Sequence, residues 1–177
     1  MSSQEERPRF VIDAMLGTLA KWLRLLGYDT LYSPSYNDAQ IISMAARMKR
    51  AIVTSDKGLY RRAAKAGVRA ILLPEANVTE SLARLATSGL IELKVDPSRS
   101  RCPLCNGVLR EVTDKNAIRG RVPPGALTRY NKFYVCTRCG HVYWEGGHWR
   151  NIRRIVEEAK LLTAQLTGQE GATASGP

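Results

Sequence analysis

Along the first half of the chain, short apolar runs alternate with segments whose apolar residues recur every three or four positions. The short runs are typical of buried strands, and the recurrence is typical of one face of a helix. The predicted strands lie at 10–12, 30–32, 51–54, 68–73 and 91–93. Four predicted helices lie between them. The first ends at Gly27 and has on its apolar face Met15, Leu19, Trp22, Leu23 and Leu26. The second is capped by Asn37 or Asp38, the third covers 58–65, and the fourth runs from Asn77 or Thr79 to Gly89. This alternation predicts an α/β domain over residues 9–94, in which helices cover both faces of a parallel sheet (α/β/α).

The pattern changes after residue 94. Residues 95–100 predict a linker, and residues 101–149 hold all four cysteines, several turn-forming residues and little helical periodicity. Residues 150–166 predict a closing helix, because apolar side chains from Ile152 to Leu162 fall on one face. The segments 1–8 and 167–177 have no core-forming face, and we expect them to be flexible tails.

The four cysteines occur as two pairs of identical spacing, Cys102-x2-Cys105 and Cys136-x2-Cys139. Each pair can place two thiolates on one tight turn, and two such turns complete the tetrahedral site of a zinc ribbon. The alternative is two disulfides, which an intracellular compartment disfavours. A site closed by four thiolates has no open position for a substrate, so the predicted Zn²⁺ is structural.

The composition and the net charge predict that the protein binds a polyanion. With 44% hydrophobic and 24% charged residues the chain can bury a core, and its 27 Lys and Arg against 16 Asp and Glu give a net charge of +11. Residues 101–160 are the more basic part, with twelve basic and five acidic residues. A small protein this basic often binds nucleic acid; the alternative is a basic surface that only water solvates.

We expect neither membrane insertion nor secretion. The longest apolar runs, such as 70–73, are far shorter than the roughly 20 residues that span a bilayer. Residues 1–9 contain no apolar stretch of the kind found in a secretory signal. A cytoplasmic location is therefore expected.

Three aspartates follow predicted strands. Asp13 ends the first, Asp38 lies a short loop beyond the second, and Asp56 follows the third. The carboxyl ends of parallel strands lie along one edge of a sheet, so these carboxylates could converge there. Clustered carboxylates repel unless a cation lies between them, and their hard oxygens suit Mg²⁺ or Mn²⁺, which could bind a phosphate and activate a water. The alternative is helix capping, since each aspartate also precedes a helix.

Further side chains are candidates for contact with a nucleic acid. Those predicted near the aspartates are Thr18, Lys21, Arg24, Thr54, Ser55 and Lys57. His148 could contact RNA, cap the last helix or act as a general acid; we favour RNA contact or a structural role, because hydrolysis assisted by a metal needs no histidine. The aromatic residues of the second half could stack on bases or build a small core: Phe133, Tyr134, Tyr143, Trp144 and Trp149.

Several short motifs occur in order along the chain. They are DAMLG at 13–17, WLR at 22–24, LGYD at 26–29, Asp38, VTSD at 53–56, SRCPLCNG at 100–107, Phe133 with Cys136 and Cys139, and YWEGGHW at 143–149. Together they resemble the Mut-seven C-terminal RNase domain family, over about residues 9–155. The resemblance implies a PIN-like nuclease fold with a zinc ribbon, and RNA cleavage by acidic residues that bind a divalent metal. Matched residue by residue, those acids are Asp13, Asp38 and Asp56.

The leading hypothesis is a metal-dependent ribonuclease that contains structural Zn²⁺ and catalytic Mg²⁺ or Mn²⁺. Its basic ribbon would assist RNA binding, with tRNA and the ribosome as candidate partners. More typical PIN nucleases have a fourth acid after the third, whereas here nothing acidic follows Asp56 until Glu75. This favours a second hypothesis, a non-catalytic RNA- or ribosome-binding module on a degenerate PIN-like fold. A phosphoryl-accepting switch ranks last, because no second acid flanks Asp13.

Overall fold

The computed structural model describes residues 6–173 and places four short strands in one parallel sheet. The strands are β1 (Phe10–Ile12), β2 (Thr30–Leu31), β3 (Ala51–Thr54) and β4 (Ala70–Leu72), in the spatial order β2-β1-β3-β4. Phe10 pairs with Thr30 on one side and with Ala51 on the other, and Ile52 pairs with Ala70. All three strand pairings are parallel, which confirms the predicted α/β fold.

The fifth strand predicted over 91–93 does not form. The backbone there is irregular, although Ile91 and Leu93 are buried in the same core as β1. The Glu92 N–H donates a hydrogen bond to the Tyr28 hydroxyl (2.7 Å) and not to a neighbouring strand. The apolar residues at these positions therefore reflect packing against the core, which sequence periodicity cannot distinguish from pairing in a sheet.

Helices cover both faces of the sheet. They are α1 (Gly17–Leu25), α2 (Asp38–Met48), α3 (Lys57–Lys65) and α4 (Val78–Thr87). Strand side chains alternate between two cores: Phe10 and Ile12 pack with α1 and α4, and Val11 packs with α2 and α3. A capping box begins α2, in which Asn37 accepts a hydrogen bond from the Gln40 N–H and Gln40 accepts one from the Asn37 N–H. The chain thus turns sharply into α2 just before Asp38.

The segment with the cysteines forms a separate antiparallel sheet, and we call residues 101–147 the ribbon. Its strands are β5 (Leu109–Val112), β6 (Phe133–Cys136) and β7 (Val142–Tyr143), in the order β5-β6-β7. A 3-10 turn (Lys115–Ile118) and a short helix, α5 (Pro124–Arg129), connect β5 to β6. Ile118 and Ala126 of this connection pack with Phe133 in a small core. The ribbon therefore has its own apolar interior besides the cysteine turns.

The last helix, α6 (His148–Thr173), returns from the ribbon to the parallel-sheet domain. Its Val156 and Ala159 are buried in the core that contains α1 and α4, and the Thr163 hydroxyl donates to the Ala83 carbonyl (3.4 Å). The ribbon is thus inserted between two helices that pack on each other. No helix among residues 6–173 is both long enough and apolar enough to cross a bilayer.

Helix α6 is longer than the predicted 150–166. It begins at His148, and residues 167–173 continue it where the sequence predicted a flexible tail. The physical reason is that a helix already nucleated by packing on α4 can propagate without an apolar face of its own. Residues 6–8, also predicted as part of a flexible tail, form no helix or strand, but Arg7 is bound to the domain: it donates from Nη1 to the Leu26 carbonyl (3.3 Å) and lies over the Tyr28 ring. The remaining predicted tail residues, 1–5 and 174–177, lie outside the described residues.

Buried polar side chains attach the ribbon to the parallel-sheet domain. Arg24 of α1, only 5% exposed, donates from Nε to the Thr30 carbonyl (3.0 Å) and from Nη1 to the Pro103 carbonyl (2.9 Å). The Asn106 amide accepts a hydrogen bond from the Thr30 N–H (3.0 Å) and donates one to Asp29 (2.8 Å). Because β2 is an edge strand, this contact covers backbone groups that would otherwise be open to water.

Candidate functional site

The four cysteine sulfurs meet at one end of the ribbon. All four Sγ atoms lie within 4.8 Å of one another, and all four thiols are free. The distance between Cys102 Sγ and Cys139 Sγ is 3.7 Å, and that between Cys105 Sγ and Cys136 Sγ is 3.4 Å. Sulfurs bound tetrahedrally at about 2.3 Å from one zinc ion lie about 3.8 Å apart. The donor set therefore fits the predicted structural Zn²⁺, and the alternative of two disulfides does not occur.

Backbone groups support the sulfurs. The N–H groups of Arg138 and Cys139 each donate to Cys136 Sγ at 3.4 Å. Burial raises the pKa of the Cys136 thiol, but these donors and the neighbouring cysteines lower it to about 6, whereas the pKa values of Cys105 and Cys139 are raised. Cys136 is therefore the thiol that loses its proton most readily. A Cβ at Gly107 would lie 2.6 Å from Cys136 Sγ, so the close approach of backbone to sulfur requires glycine there. The preceding Asn106 has a φ of +67°, a left-handed conformation that asparagine tolerates.

Asp13 and Asp56 are joined through Thr54 at the carboxyl ends of β1 and β3. The fully buried Thr54 hydroxyl donates to Asp13 Oδ2 (2.7 Å) and accepts from the Asp56 N–H (2.9 Å). Asp13 itself is only 8% exposed. The strand ends therefore bring these two predicted site residues to one place through a shared buried hydroxyl group.

Both aspartates also cap helical turns, as the alternative interpretation expected. Asp13 Oδ1 accepts from the Ala14 N–H (2.7 Å) and caps the 3-10 turn Ala14–Leu16. Asp56 Oδ1 accepts from the N–H groups of Gly58 (2.6 Å) and Leu59 (3.2 Å) and caps α3. Capping does not exclude metal binding, because each carboxylate oxygen has more than one lone pair.

Asp38 is the first residue of α2 and forms an ion pair with Arg62 of α3. Arg62 also donates from Nε to the Gly58 carbonyl (3.4 Å), so its side chain links Asp38 to the turn that Asp56 caps. The Arg62 and Asp38 side chains are 56% and 33% exposed, and an ion pair this accessible contributes only about 0–1 kcal/mol. Arg62 was not among the predicted site residues, although its position one helical turn after Gly58 places it on the same side of α3 as the turn that Asp56 caps.

The three aspartates lie along one sheet edge but do not form a closed cage. Within residues 6–173, the one group of three or more His, Cys, Asp or Glu side chains close enough to share a metal is that of the four cysteines. The expected convergence is incomplete because Asp38 pairs with Arg62 while Asp13 and Asp56 cap helical turns. Beside them, the Ser55 hydroxyl is buried without a hydrogen-bond partner. These carboxylates and this hydroxyl are hard oxygen donors, the kind that Mg²⁺ and Mn²⁺ prefer.

The basic residues predicted beside this edge have different environments. Lys57 is exposed as the first residue of α3, directly after Asp56, and Lys21 is exposed on α1. Arg24 is not available to a phosphate in this structure, because its guanidinium is buried against the ribbon. Helical spacing alone could not show that the ribbon covers this side of α1. Thr54, also predicted to contact a nucleic acid, is not available either, because it is fully buried and its hydroxyl is hydrogen-bonded to Asp13 and Asp56.

The predicted RNA contact His148 lies elsewhere, at a cavity of about 680 Å³ between the ribbon and the start of α6. The cavity is lined by aromatic side chains, among them Tyr130, Tyr143, Trp144 and Trp149. None of the three aspartates lines it. The molecule therefore carries two separate surfaces with binding chemistry, one acidic on the sheet and one aromatic on the ribbon.

Comparison with known proteins agrees with these features. The family model for the Mut7-C RNAse domain matches residues 8–156, which include the aspartates at the sheet edge and all four cysteines. No curated protein and no solved structure matches the chain significantly. Since the family model spans most of the sequence, the protein belongs to the Mut7-C RNAse domain family.

Proposed function

We propose that the protein is a metal-dependent ribonuclease that hydrolyses RNA phosphodiester bonds at the carboxyl edge of the parallel sheet. The observation that carries the proposal is the hydrogen-bonded unit of Asp13, Thr54 and Asp56, in a member of an RNase domain family. It lies at the edge where α/β proteins bind ligands. Asp38 supplies a further carboxylate, held by Arg62 next to the turn that Asp56 caps.

Each residue of this edge has a role in the proposal. Asp13, Asp38 and Asp56 would hold a Mg²⁺ or Mn²⁺ ion, which when bound polarises a phosphate and lowers the pKa of a water. Thr54 orients the Asp13 carboxylate through its hydroxyl. Lys57 contacts phosphate oxygens from the start of α3, where the helix dipole also favours negative charge.

The ribbon would assist by binding the RNA backbone. Residues 101–160 carry twelve basic against five acidic residues, so phosphate groups would displace counterions from this part of the molecule. The structural Zn²⁺ held by the four cysteines would keep this surface folded. We propose RNA as the partner, with tRNA and the ribosome among the candidates, and the cytoplasm as the location.

The proposal is tested by the cleavage of labelled single-stranded and structured RNAs by the zinc-loaded protein in Mg²⁺ or Mn²⁺. We expect the double substitution Asp13→Asn with Asp56→Asn to lower the rate at least about a hundredfold, because metal catalysis supplies several kcal/mol. Asp114→Asn is the matched control, since Asp114 also caps a 3-10 turn, through the Asn116 N–H (3.0 Å). Unchanged cleavage by the double variant would contradict the assignment of the site.

A second candidate function is a non-catalytic RNA-binding module. The observation that favours it is that Asp13 and Asp56 already serve as caps and Asp38 already has a cationic partner. In this case the wild-type protein would bind RNA without cleaving it, and the double variant would bind RNA with the same affinity. The cleavage experiment therefore separates the two functions.

A further inference from the structure

The cavity of about 680 Å³ on the ribbon is not used by the proposed cleavage site. Residues of α5, of β7 and of the first turns of α6 form its walls, and Leu25 of α1 and Pro103 of the first cysteine turn complete them. Its volume is within the range of sites that bury a small ligand or one unit of a polymer. It is therefore a second candidate binding site.

Aromatic rings held in fixed positions form much of the wall. Tyr130, Tyr143 and Trp144 line the cavity and are half-buried residues. Trp149 is 9% exposed and donates its Nε1–H to the Trp144 carbonyl (2.7 Å). The Trp144 ring packs on Phe133 with ring centroids 6.3 Å apart. Rings that are fixed in this way and line a cavity can stack on a flat ligand at little cost in side-chain entropy.

The charged groups at the cavity are complementary to phosphate. The cation Arg129 and the imidazoles of His141 and His148 are exposed in its lining, and no Asp or Glu of the described residues, 6–173, lines it. A second cavity, of about 450 Å³, shares His141 and Trp144 with the first and is also lined by Arg121. An arginine thus lines each of the two cavities that share Trp144, as needed for a chain of alternating bases and phosphates.

We propose that this cavity binds an unpaired nucleobase of an RNA strand, with Arg129 and Arg121 contacting the phosphates on either side. The inference rests on the RNA-binding part of the proposed function but not on cleavage. An apolar peptide or a lipid tail would gain nothing from the surrounding cations, and a free nucleotide could not use both arginines. The ribbon would hold single-stranded RNA by a base, while the sheet edge acts on the backbone.

Gly125 allows a bulky side chain to be placed at the cavity wall without a clash with the rest of the fold. It lies in α5 on the cavity wall, and a Cβ added there meets no atom within 4 Å. Gly125→Leu therefore places a bulky side chain at the wall, and leucine is a better helix former than glycine. The matched control is Gly168→Leu, because Gly168 is also helical and open but does not line the cavity.

The experiment measures the binding of a labelled six-nucleotide RNA and of an abasic strand of the same length. It uses zinc-loaded protein without Mg²⁺ or Mn²⁺, so that cleavage does not interfere. We expect the wild type and Gly168→Leu to prefer the RNA with bases by at least about fivefold, which is the lower range of what one stacked base contributes. We expect Gly125→Leu to lose this preference. Thermal unfolding of the three proteins checks that each is folded.

Three results would overturn the inference: equal affinity of the wild type for both strands, an unchanged preference in Gly125→Leu, or competition by AMP as effective as that by the six-nucleotide RNA. The double variant Asp13→Asn with Asp56→Asn should retain the preference for bases, because both residues lie outside the cavity. A wild-type protein that prefers bases but never cleaves would contradict the proposed catalysis and support this inference. Cleavage without a preference for bases would support the proposed catalysis and contradict this inference.

Discussion

At the scale of single residues, the Thr54 hydroxyl is the group on which the proposed site most depends. It is fully buried, donates a hydrogen bond to the Asp13 carboxylate and accepts one from the Asp56 N–H. Thr54→Val keeps the shape of the side chain and removes both hydrogen bonds. We expect cleavage to fall about tenfold or more, because small displacements of catalytic groups are costly, and the free energy of unfolding to fall by about 1–3 kcal/mol.

The matched control for this prediction is Thr30→Val. Thr30 is equally buried, and its hydroxyl donates to the Tyr28 carbonyl (3.0 Å), at the junction with the ribbon and away from Asp13 and Asp56. Single-turnover cleavage and urea unfolding of both variants provide the comparison. If both lose the same activity for the same loss of stability, Thr54 has no positioning role.

Asp29 is the acidic residue at the junction of the two domains. Its carboxylate accepts hydrogen bonds from Arg50 and Asn106, each at 2.8 Å, and lies 3.6 Å from Arg101. Burial raises the pKa of Asp29, but the hydrogen bonds from Arg50 and Asn106 lower it below its usual value. A carboxyl with a lower pKa in the folded state stabilises the protein above its unfolded pKa. This contribution is therefore present at pH 7 and is lost as the pH falls below about 4.

We predict that Asp29→Asn lowers the free energy of unfolding at pH 7 by about 3 kcal/mol, because Arg50 would keep a charge that is 4% exposed and unpaired. Urea unfolding from pH 7 to pH 3 should show that the difference in the free energy of unfolding between wild type and variant becomes smaller in acid. Both proteins lose zinc in acid as the cysteines protonate, so only the difference between them is used. A difference in the free energy of unfolding that stays constant over this range would contradict the stabilising role of the Asp29 carboxylate.

At the scale of elements, the first cysteine turn and the edge strand β2 form one unit. Asn106 lies between them, bonded to the Thr30 N–H, and Arg24 joins both to α1. We predict that removing zinc with a chelator raises backbone hydrogen exchange in β2 and α1 as well as in the ribbon, while α3 on the opposite face stays protected. An increase confined to the ribbon would show that the cysteine turn does not support the sheet.

Sequence reasoning was reliable where local chemistry decides structure. Short spacings along the chain predict the paired cysteines, the capping residues Asn37 and Asp56, and the alternation of strands with helices. Sequence reasoning was unreliable where distant contacts decide, as for Arg24, which the ribbon buries, and Arg62, which pairs with Asp38 across two helices. Segment 91–93 shows the same limit, since an apolar run does not reveal whether it pairs with a strand of the sheet or only packs against the core.

At the scale of the whole molecule, the ribbon is an insertion whose two ends are held by the parallel-sheet domain. The chain enters it after α4 and leaves it through α6, which packs on α4. The acidic edge and the aromatic cavity are therefore parts of one body with a net charge of +11.

The high positive charge leads to a prediction about salt. If the molecule contacts several phosphates, its affinity for unspecific RNA should fall by more than tenfold between about 50 and 200 mM salt, through loss of counterion release. Fluorescence anisotropy with a labelled RNA, at several salt concentrations, measures this slope. The double variant Asp13→Asn with Asp56→Asn should show the same slope, since it alters no cation. An affinity independent of salt would argue against backbone contacts.

The central claim, that this sheet edge cleaves RNA with a divalent metal, is tested most directly by titrating Mn²⁺ into single-turnover cleavage by the zinc-loaded protein. The protein is first dialysed free of Mg²⁺ and Mn²⁺ without a chelator strong enough to remove zinc. We predict no cleavage at the start, a rate that rises to saturation with Mn²⁺, and no such rise in Asp13→Asn. Cleavage at full rate before Mn²⁺ is added, or an equal rise in Asp13→Asn, would contradict the claim.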